Sequence, residues 1–187
     1  SLSGVVADIM VIGEVPRGKA VLRSGARPGD EVWVSGTLGG AARALALFRR
    51  GKKIAAKRRV LEPLFYPQAR IGIGRALRQR GLASAMMDIS DGLSIDLARL
   101  CKASGVGARV EETAIPRSRE TLLPMALHGG EDFELLFTVH PANSGRVPNE
   151  IGGVPLTRIG TVVAGRRLRL LREGGEFALP VLGFEHF

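Results

Sequence analysis

A short apolar segment that runs through a tight turn into a helical stripe most constrains the fold of this 187-residue chain. Residues 85–88 predict a strand that ends at an acidic side chain, and the helix after it is expected to end at Gly105. The apolar side chains of that helix share one face: Leu93, Leu97, Leu100 and Cys101. Because so few residues join strand to helix, the two should pack against each other, as they do in α/β proteins.

The same alternation of strand-like and helix-like segments continues along the chain. Branched and apolar residues predict further strands at 5–15, 31–36, 108–110, 133–139, 157–163 and 168–172. Helical periodicity and glycine or proline boundaries predict further helices at 41–50, 68–80 and 119–127. The apolar run 135–137 predicts burial on both faces of its strand, and 165–167 predicts a hairpin-like turn. We therefore predict an α/β fold, a β-sheet covered by α-helices.

Composition restricts the class of protein. With 45% hydrophobic and 24% charged residues the chain can bury a core, and it has neither a long apolar run nor a signal-like leader, so we expect a cytoplasmic protein with no membrane partner. The net charge of +9 raises nucleic acid as a partner, but only 5% of residues are aromatic. The densest basic cluster, within 49–59, contains no aromatic residue and predicts a solvated surface, so we expect no nucleic-acid partner.

Two carboxylates and a hydroxyl flank the turn between the predicted strand and helix: Asp88, Ser90 and Asp91. Capping of the helix by Ser90 or Asp91 contributes about 1 kcal/mol, but it accounts for one of these side chains only. Mg²⁺ prefers oxygen ligands, commonly one or two carboxylates together with substrate phosphates, and a helix start adds backbone N–H donors. This motif therefore predicts phosphate binding through divalent metal, as in phosphoryl transfer.

A second acidic motif, Gly129-Gly130-Glu131-Asp132, precedes the predicted strand at 133–139. An isolated glycine pair is usually no more than a turn. Here strand alternation would send Glu131 and Asp132 to opposite sides, so that one can face a ligand while the other faces neighbouring backbone.

Six motifs together carry a family resemblance: 88–93 (DISDGL), 129–135 (GGEDFEL), 13–16 (GEVP), 23–26 (RSGA), 34–37 (VSGT) and 183–187 (GFEHF). These motifs follow one another along the chain in the order of the thiamine-monophosphate kinase family, which the sequence resembles across nearly its whole length. The first two are shared more loosely with the aminoimidazole-ribonucleotide-synthetase-like superfamily, whose carboxyl-terminal domain is a mixed sheet covered by helices. The resemblance implies ATP-dependent, Mg²⁺-assisted phosphorylation of thiamine monophosphate to thiamine diphosphate by direct transfer.

The resemblance also implies roles for individual residues. Asp88 and Asp91 resemble the metal ligands of the family and are the expected catalytic residues. Arg23 and Ser90 resemble its contacts with ATP.

Two further residues resemble the family's contacts with thiamine monophosphate. Glu131 resembles the acid beside the thiamine moiety, which suits a cationic ligand. Phe184 stands where the family often has tryptophan or tyrosine, and phenylalanine keeps the stacking face while losing the polar edge. Phe133 likewise replaces a common tyrosine.

The resemblance divides the chain into two parts. Residues 1–16 resemble the last strand of an otherwise missing amino-terminal ATP-binding domain, and 17–187 resemble the carboxyl-terminal domain. Because the missing domain carries further metal-binding acids and most of the dimer contact, we expect the full-length protein to be a homodimeric kinase and this chain alone to be inactive. The alternatives are another ATP-using enzyme of the superfamily, such as a selenophosphate synthetase, and a non-catalytic binding module.

Overall fold

The computed structural model of the chain describes residues 10–50 and 58–184. The strands within them are β1 (Glu31–Ser35), β2 (Ala83–Ile89), β3 (Gly107–Glu111), β4 (Glu134–Val139), β5 (Glu150–Ile151), β6 (Val154–Val163), β7 (Leu168–Arg172) and β8 (Gly175–Ala178). The helices are α1 (Gly40–Arg49), α2 (Arg58–Phe65), α3 (Ile71–Gln79), α4 (Leu93–Ser104) and α5 (Leu123–His128). Short 3-10 helices lie at Glu112–Ala114 and Pro141–Arg146.

The strands form one mixed sheet in the order β2, β4, β1, β6, β3, β7, β8, with β5 paired to the start of β6. Strand β7 runs parallel to β3, and the other described pairs are antiparallel. This arrangement confirms the predicted fold class. None of the described helices is both long enough and apolar enough to cross a lipid bilayer.

Apolar side chains cover both faces of the sheet. On one face, residues of α4 and α5 pack against the strands, and on the other face α3 does so. Strand β4 serves both cores, since Leu136 joins the first and Phe137 joins the second, which confirms burial on both sides. Cys101 packs in the first core, where burial raises the pKa of its thiol to about 12, so the thiol is a packing group rather than a nucleophile.

Antiparallel pairing of β2 with β4 brings the two acidic motifs together. Ile89, the last residue of β2, is opposite Glu134, the first residue of β4. The turn that leaves β2 and the turn that enters β4 therefore lie side by side at one edge of the sheet. The two motifs are 41 positions apart in sequence (88 against 129) and are adjacent in space for this reason alone.

Two strand predictions require correction. The first concerns the strand predicted at 5–15. Residues 10–15 of this segment form no strand and are exposed, and the rest of the segment lies outside the described residues. Branched residues form a strand only where a partner supplies hydrogen bonds. The predicted hairpin at 165–167 is also wrong, because β3 lies between β6 and β7 and pairs with both.

Two helices begin later in the structure than the sequence predicted. The helix predicted at 119–127 is limited to α5, which has Pro124 in its first turn, and Glu120 before it has a left-handed φ of 57°. The helix predicted from residue 68 begins at Ile71. Helix α2 and strands β5 and β8 were not predicted; α2 contains Pro63 and adjoins the residues that the structure does not describe.

Candidate functional site

A buried acid that the sequence analysis did not single out closes the turn between β2 and α4. One carboxylate oxygen of Asp96, a fully buried side chain, accepts hydrogen bonds from the backbone N–H groups of residues 90–92 at 3.0 to 3.1 Å. Gly92 is the N-cap residue of α4, and no side chain caps it. The prediction that Ser90 or Asp91 caps this helix is therefore wrong. The N–H donors expected to hold phosphate are already bonded to Asp96.

The second carboxylate oxygen of Asp96 binds a cation. Arg99 Nη1 lies 2.7 Å from it and also pairs with the carboxylate of Asp91. The side chain of Asp91 is 13% exposed and that of Arg99 is 38% exposed. The hydrogen bond to Asp91, opposed by partial burial, raises the pKa of Arg99 above its ordinary value. The predicted metal ligand Asp91 thus carries an arginine as its counter-ion.

The other predicted metal ligand, Asp88, lies in a different environment. Its side chain is exposed on β2, where it lines an open depression of about 520 Å³ together with Arg23. The turn that presents Arg23 is held by Ser104, whose hydroxyl donates to the Arg23 carbonyl at 2.7 Å. An acid and a base predicted to contact the metal and ATP therefore share one surface depression.

Backbone hydrogen bonds gather four of the predicted site residues around the same turn. The N–H of Glu131 donates to the carbonyl of Ser90 at 2.7 Å, and the N–H of Phe184 donates to the carbonyl of Asp91 at 3.1 Å. The side chains of Glu131 and Phe184 are exposed. The carboxylate and the aromatic ring predicted to contact the substrate are therefore presented to solvent beside the strand-to-helix turn.

The carboxyl-terminal segment that carries Phe184 is held by a hydroxyl on α4. The Oγ of Ser94, a buried residue, donates to the carbonyl of Leu182 at 2.6 Å and accepts from the Leu182 N–H at 3.2 Å. The same oxygen lies 2.8 Å from His128 Nδ1, and burial lowers the pKa of this histidine. The segment is thereby fixed to the start of α4.

Asp132 faces backbone, in contrast to its neighbour Glu131. Its carboxylate accepts hydrogen bonds from the N–H groups of Gly39 at 2.6 Å and Ala41 at 3.2 Å, at the start of α1. Burial raises the pKa of Asp132 from 3.8 to about 6, although these N–H groups oppose the shift. The prediction that the two acids face opposite sides is confirmed. The cause is a left-handed φ of 68° at Glu131, outside any strand, rather than strand alternation.

A partly buried ion pair supports the start of β4. Both oxygens of Glu134 bind Arg70, at 2.7 Å from its Nε and 2.6 Å from its Nη2, and Ser35 Oγ donates to the same carboxylate at 2.5 Å. Arg70 and Glu134 also line a cavity of about 560 Å³ that contains none of the predicted site residues. An acid at the head of an apolar strand was the only signal for this network in the sequence.

The protein donors alone do not form a metal cage. Within residues 10–50 and 58–184, no three His, Cys, Asp or Glu side chains are placed to hold one ion together. Mg²⁺ often binds one or two carboxylates and completes its coordination with phosphate and water. An exposed Asp88 and an Asp91 that already attracts a cation fit that mode of binding.

Comparisons with known proteins bear on the family of this chain. The sequence profile described as AIR synthase related protein, C-terminal domain, matches residues 27–173. A thiamine-monophosphate kinase from Salmonella typhimurium is 40% identical over 189 aligned positions, which cover 94% of this chain and 58% of that protein. The chain thus spans little more than half the length of this relative.

Two solved structures have the same fold. The crystal structure of thiamine-monophosphate kinase from Stenotrophomonas maltophilia K279a is 36% identical with a TM-score of 0.76, covering 83% of this chain and 54% of that one. A structure described as AaThiL complexed with AMPPCP and TMP is 31% identical with a TM-score of 0.75, covering 89% and 54%. Sequence profile and fold agree, and the chain belongs to the AIR-synthase-related protein family, of which it carries the carboxyl-terminal domain.

Proposed function

We propose that the full-length protein transfers the γ-phosphoryl group of ATP to the phosphate of thiamine monophosphate, giving thiamine diphosphate and ADP. The observation that carries this proposal is the similarity of this chain, across 94% of its length, to a thiamine-monophosphate kinase. A relative of the same fold is described in complex with an ATP analogue and TMP. The position of Glu131, Phe184 and Asp91 around the turn at residues 90–92, with Asp88 just before it on β2, supports the proposal.

The charge of the reacting phosphates is the main obstacle that this chain must help to overcome. Mg²⁺, when bound, neutralises phosphate oxygens and aligns them for in-line attack. Asp88 and Asp91 would hold it, which makes them the proposed catalytic residues. Arg23 would contact an ATP phosphate from the rim of the depression that it shares with Asp88, and Ser90 would contact the nucleotide.

The cationic ring of thiamine monophosphate would lie beside Glu131. A carboxylate that remains solvated until the ligand arrives can attract such a ring without the cost of a buried, unpaired charge. Phe184 would cover one face of the ring, and it is held in reach because its N–H is bonded to Asp91. Nucleotide and acceptor would then meet across the turn at residues 90–92.

We further propose that the full-length protein is a cytoplasmic homodimer, with ATP and thiamine monophosphate as its ligands and neither nucleic acid nor membrane as a partner. The paucity of aromatic residues, 5% of the chain, supports the exclusion of single-stranded nucleic acid. Residues 1–16 are proposed to end an amino-terminal ATP-binding domain, and 17–187 to form the carboxyl-terminal domain.

Asp91→Asn in the full-length protein tests the proposal. The change keeps the shape of the side chain but removes its charge, so thiamine diphosphate formation should fall at least about a hundredfold and require more Mg²⁺. Glu173→Gln, which likewise removes a negative charge but at an exposed position outside the predicted site, is the matched control. Equal losses of folding and of turnover would assign Asp91 a purely structural role. Vigorous thiamine diphosphate formation by residues 1–187 alone would contradict the expectation that this chain is inactive by itself.

A further inference from the structure

The positively charged guanidinium of Arg99 contacts the carboxylate of Asp91, where the proposed function requires a metal ion. A single nitrogen of its guanidinium contacts Asp91 and Asp96, the latter at 2.7 Å. The three side chains differ in exposure, with Asp96 at 0%, Asp91 at 13% and Arg99 at 38%. The guanidinium thus faces solvent on one side, while both carboxylates that it bridges are largely covered.

The two carboxylates do not depend on Arg99 equally. Asp96 accepts three backbone N–H bonds from residues 90–92, so its charge stays compensated if the arginine moves away. Those bonds also fix the turn itself, independently of Arg99. Arg99 has a long flexible stem on the outer part of α4, and an ion pair with a partner so exposed is weak.

We infer that Arg99 is a positioning residue that serves Asp91 as a removable counter-ion. In the absence of metal, its positive charge offsets the repulsion between the carboxylates of Asp91 and Asp96. When a divalent cation binds Asp91, the cation displaces Arg99, which moves into solvent. The inference rests on the proposed function in one respect, since it takes Asp91 to be a metal ligand.

The two possible roles of Arg99, competition with metal and structural support of the turn, predict opposite changes in metal affinity when Arg99 is removed. If Arg99 only stabilised the turn, its loss would loosen Asp91 and weaken metal binding. If it competes, its loss should tighten metal binding although a contact has been removed. The sign of the change in affinity therefore distinguishes the two roles.

The test measures the affinity of the full-length protein for Mn²⁺ in the absence of nucleotide. Binding is monitored through the electron paramagnetic resonance signal of the free Mn²⁺. Arg99→Gln should bind Mn²⁺ about two- to fivefold more tightly than the unaltered protein, as expected for removal of a partly exposed ion pair. Lys102→Gln removes the same charge from the same helix at an exposed position and should leave affinity unchanged. Arg99→Lys keeps the charge and should remain close to the unaltered protein.

Unchanged or weaker Mn²⁺ binding by Arg99→Gln overturns the inference. Asp91→Asn separates this failure from failure of the proposed function. If Asp91→Asn weakens Mn²⁺ binding while Arg99→Gln matches the unaltered protein, only the inference about Arg99 fails. If Asp91→Asn binds Mn²⁺ normally, Asp91 is not a ligand and both proposals are wrong at this residue.

A second measurement does not depend on how the variant folds. In the unaltered protein, the Nε–H nuclear magnetic resonance signal of Arg99, assigned by its absence in Arg99→Lys, should shift as Mg²⁺ is added. A signal that stays fixed at saturating Mg²⁺ would show that the arginine does not move, and the inference would be overturned.

Discussion

Removing the carboxylate of Asp96 should destabilise the protein more than any change at the exposed residues of the site. Asp96→Ala leaves the N–H groups of residues 90–92 without their acceptor in a partly buried turn, and it removes the contact between Asp96 and Arg99. Each hydrogen bond to a charged acceptor contributes about 1.5–3 kcal/mol, whereas the ion pair with the partly exposed Arg99 adds no more than about 1 kcal/mol. Water can reach the partly exposed turn and replace some of these contacts, so we expect a loss of about 3–5 kcal/mol.

Two further variants divide this loss. Asp96→Asn keeps one oxygen that can accept from the turn and loses the charge that binds Arg99, so its cost should be intermediate. Asp88→Ala removes an exposed carboxylate on the adjacent strand and should cost within about 0.5 kcal/mol.

Urea unfolding followed by fluorescence provides the assay. The chain has 1 tryptophan, Trp33, whose ring stacks on Phe137 at a centroid distance of 6.3 Å in the second core. Its signal therefore reports global unfolding rather than local change at the turn, which lies beside the first core. A cost below about 1 kcal/mol for Asp96→Ala, less than the contribution of one hydrogen bond to a charged acceptor, would refute the argument that this carboxylate organises the turn.

Three other changes test the surroundings of the site. Because burial raises the pKa of Asp132 from 3.8 to about 6, its contribution is largest at low pH and is lost as pH rises through about 6. The free energy of unfolding, measured relative to the non-titrating Asp132→Asn, should thus fall by up to about 3 kcal/mol between about pH 4 and about pH 7, and parallel pH curves would contradict this. Gly36→Ala places a Cβ 2.0 Å from the carboxylate of Glu134 and should cost at least about 2 kcal/mol more than Gly81→Ala, whose left-handed φ is similar but whose Cβ meets nothing within 4 Å. Phe184→Ala in the full-length protein should raise the KM for thiamine monophosphate about tenfold with that for ATP unchanged, since the bond to Asp91 uses backbone only; an unchanged KM would remove this ring from the site.

Local signals in the sequence were sufficient for most elements of this fold. The apolar stripe of α4 and its end at Gly105, which has a left-handed φ of 70°, follow from side-chain spacing and from the conformational freedom of glycine. The burial of β4 on both faces follows from its uninterrupted apolar run. Such features depend on residues that are close in sequence, so they can be predicted from the sequence itself.

Hydrogen-bonding partners could not be predicted in the same way. The turn at 165–167 is a real turn, with a φ of 91° at Gly165, yet the strands on either side do not pair because β3 occupies the edge of β6. Residues 10–15 have strand-like composition but no described ladder. For the hairpin, the outcome depends on β3, a segment distant in sequence that strand propensity does not specify.

In the candidate site, too, some features follow from the sequence and others only from the tertiary structure. The sequence by itself determined which residue types can bind phosphate, metal and a cationic ring, and family motifs indicated Asp88, Asp91, Arg23, Ser90, Glu131 and Phe184. Only the tertiary structure decided that Asp96 takes up the turn donors and that Arg99 pairs with Asp91. It also decided that Asp132 faces the backbone of α1 while Glu131 faces solvent. The chemistry of a side chain is local, whereas its partner and its degree of burial depend on how distant segments pack.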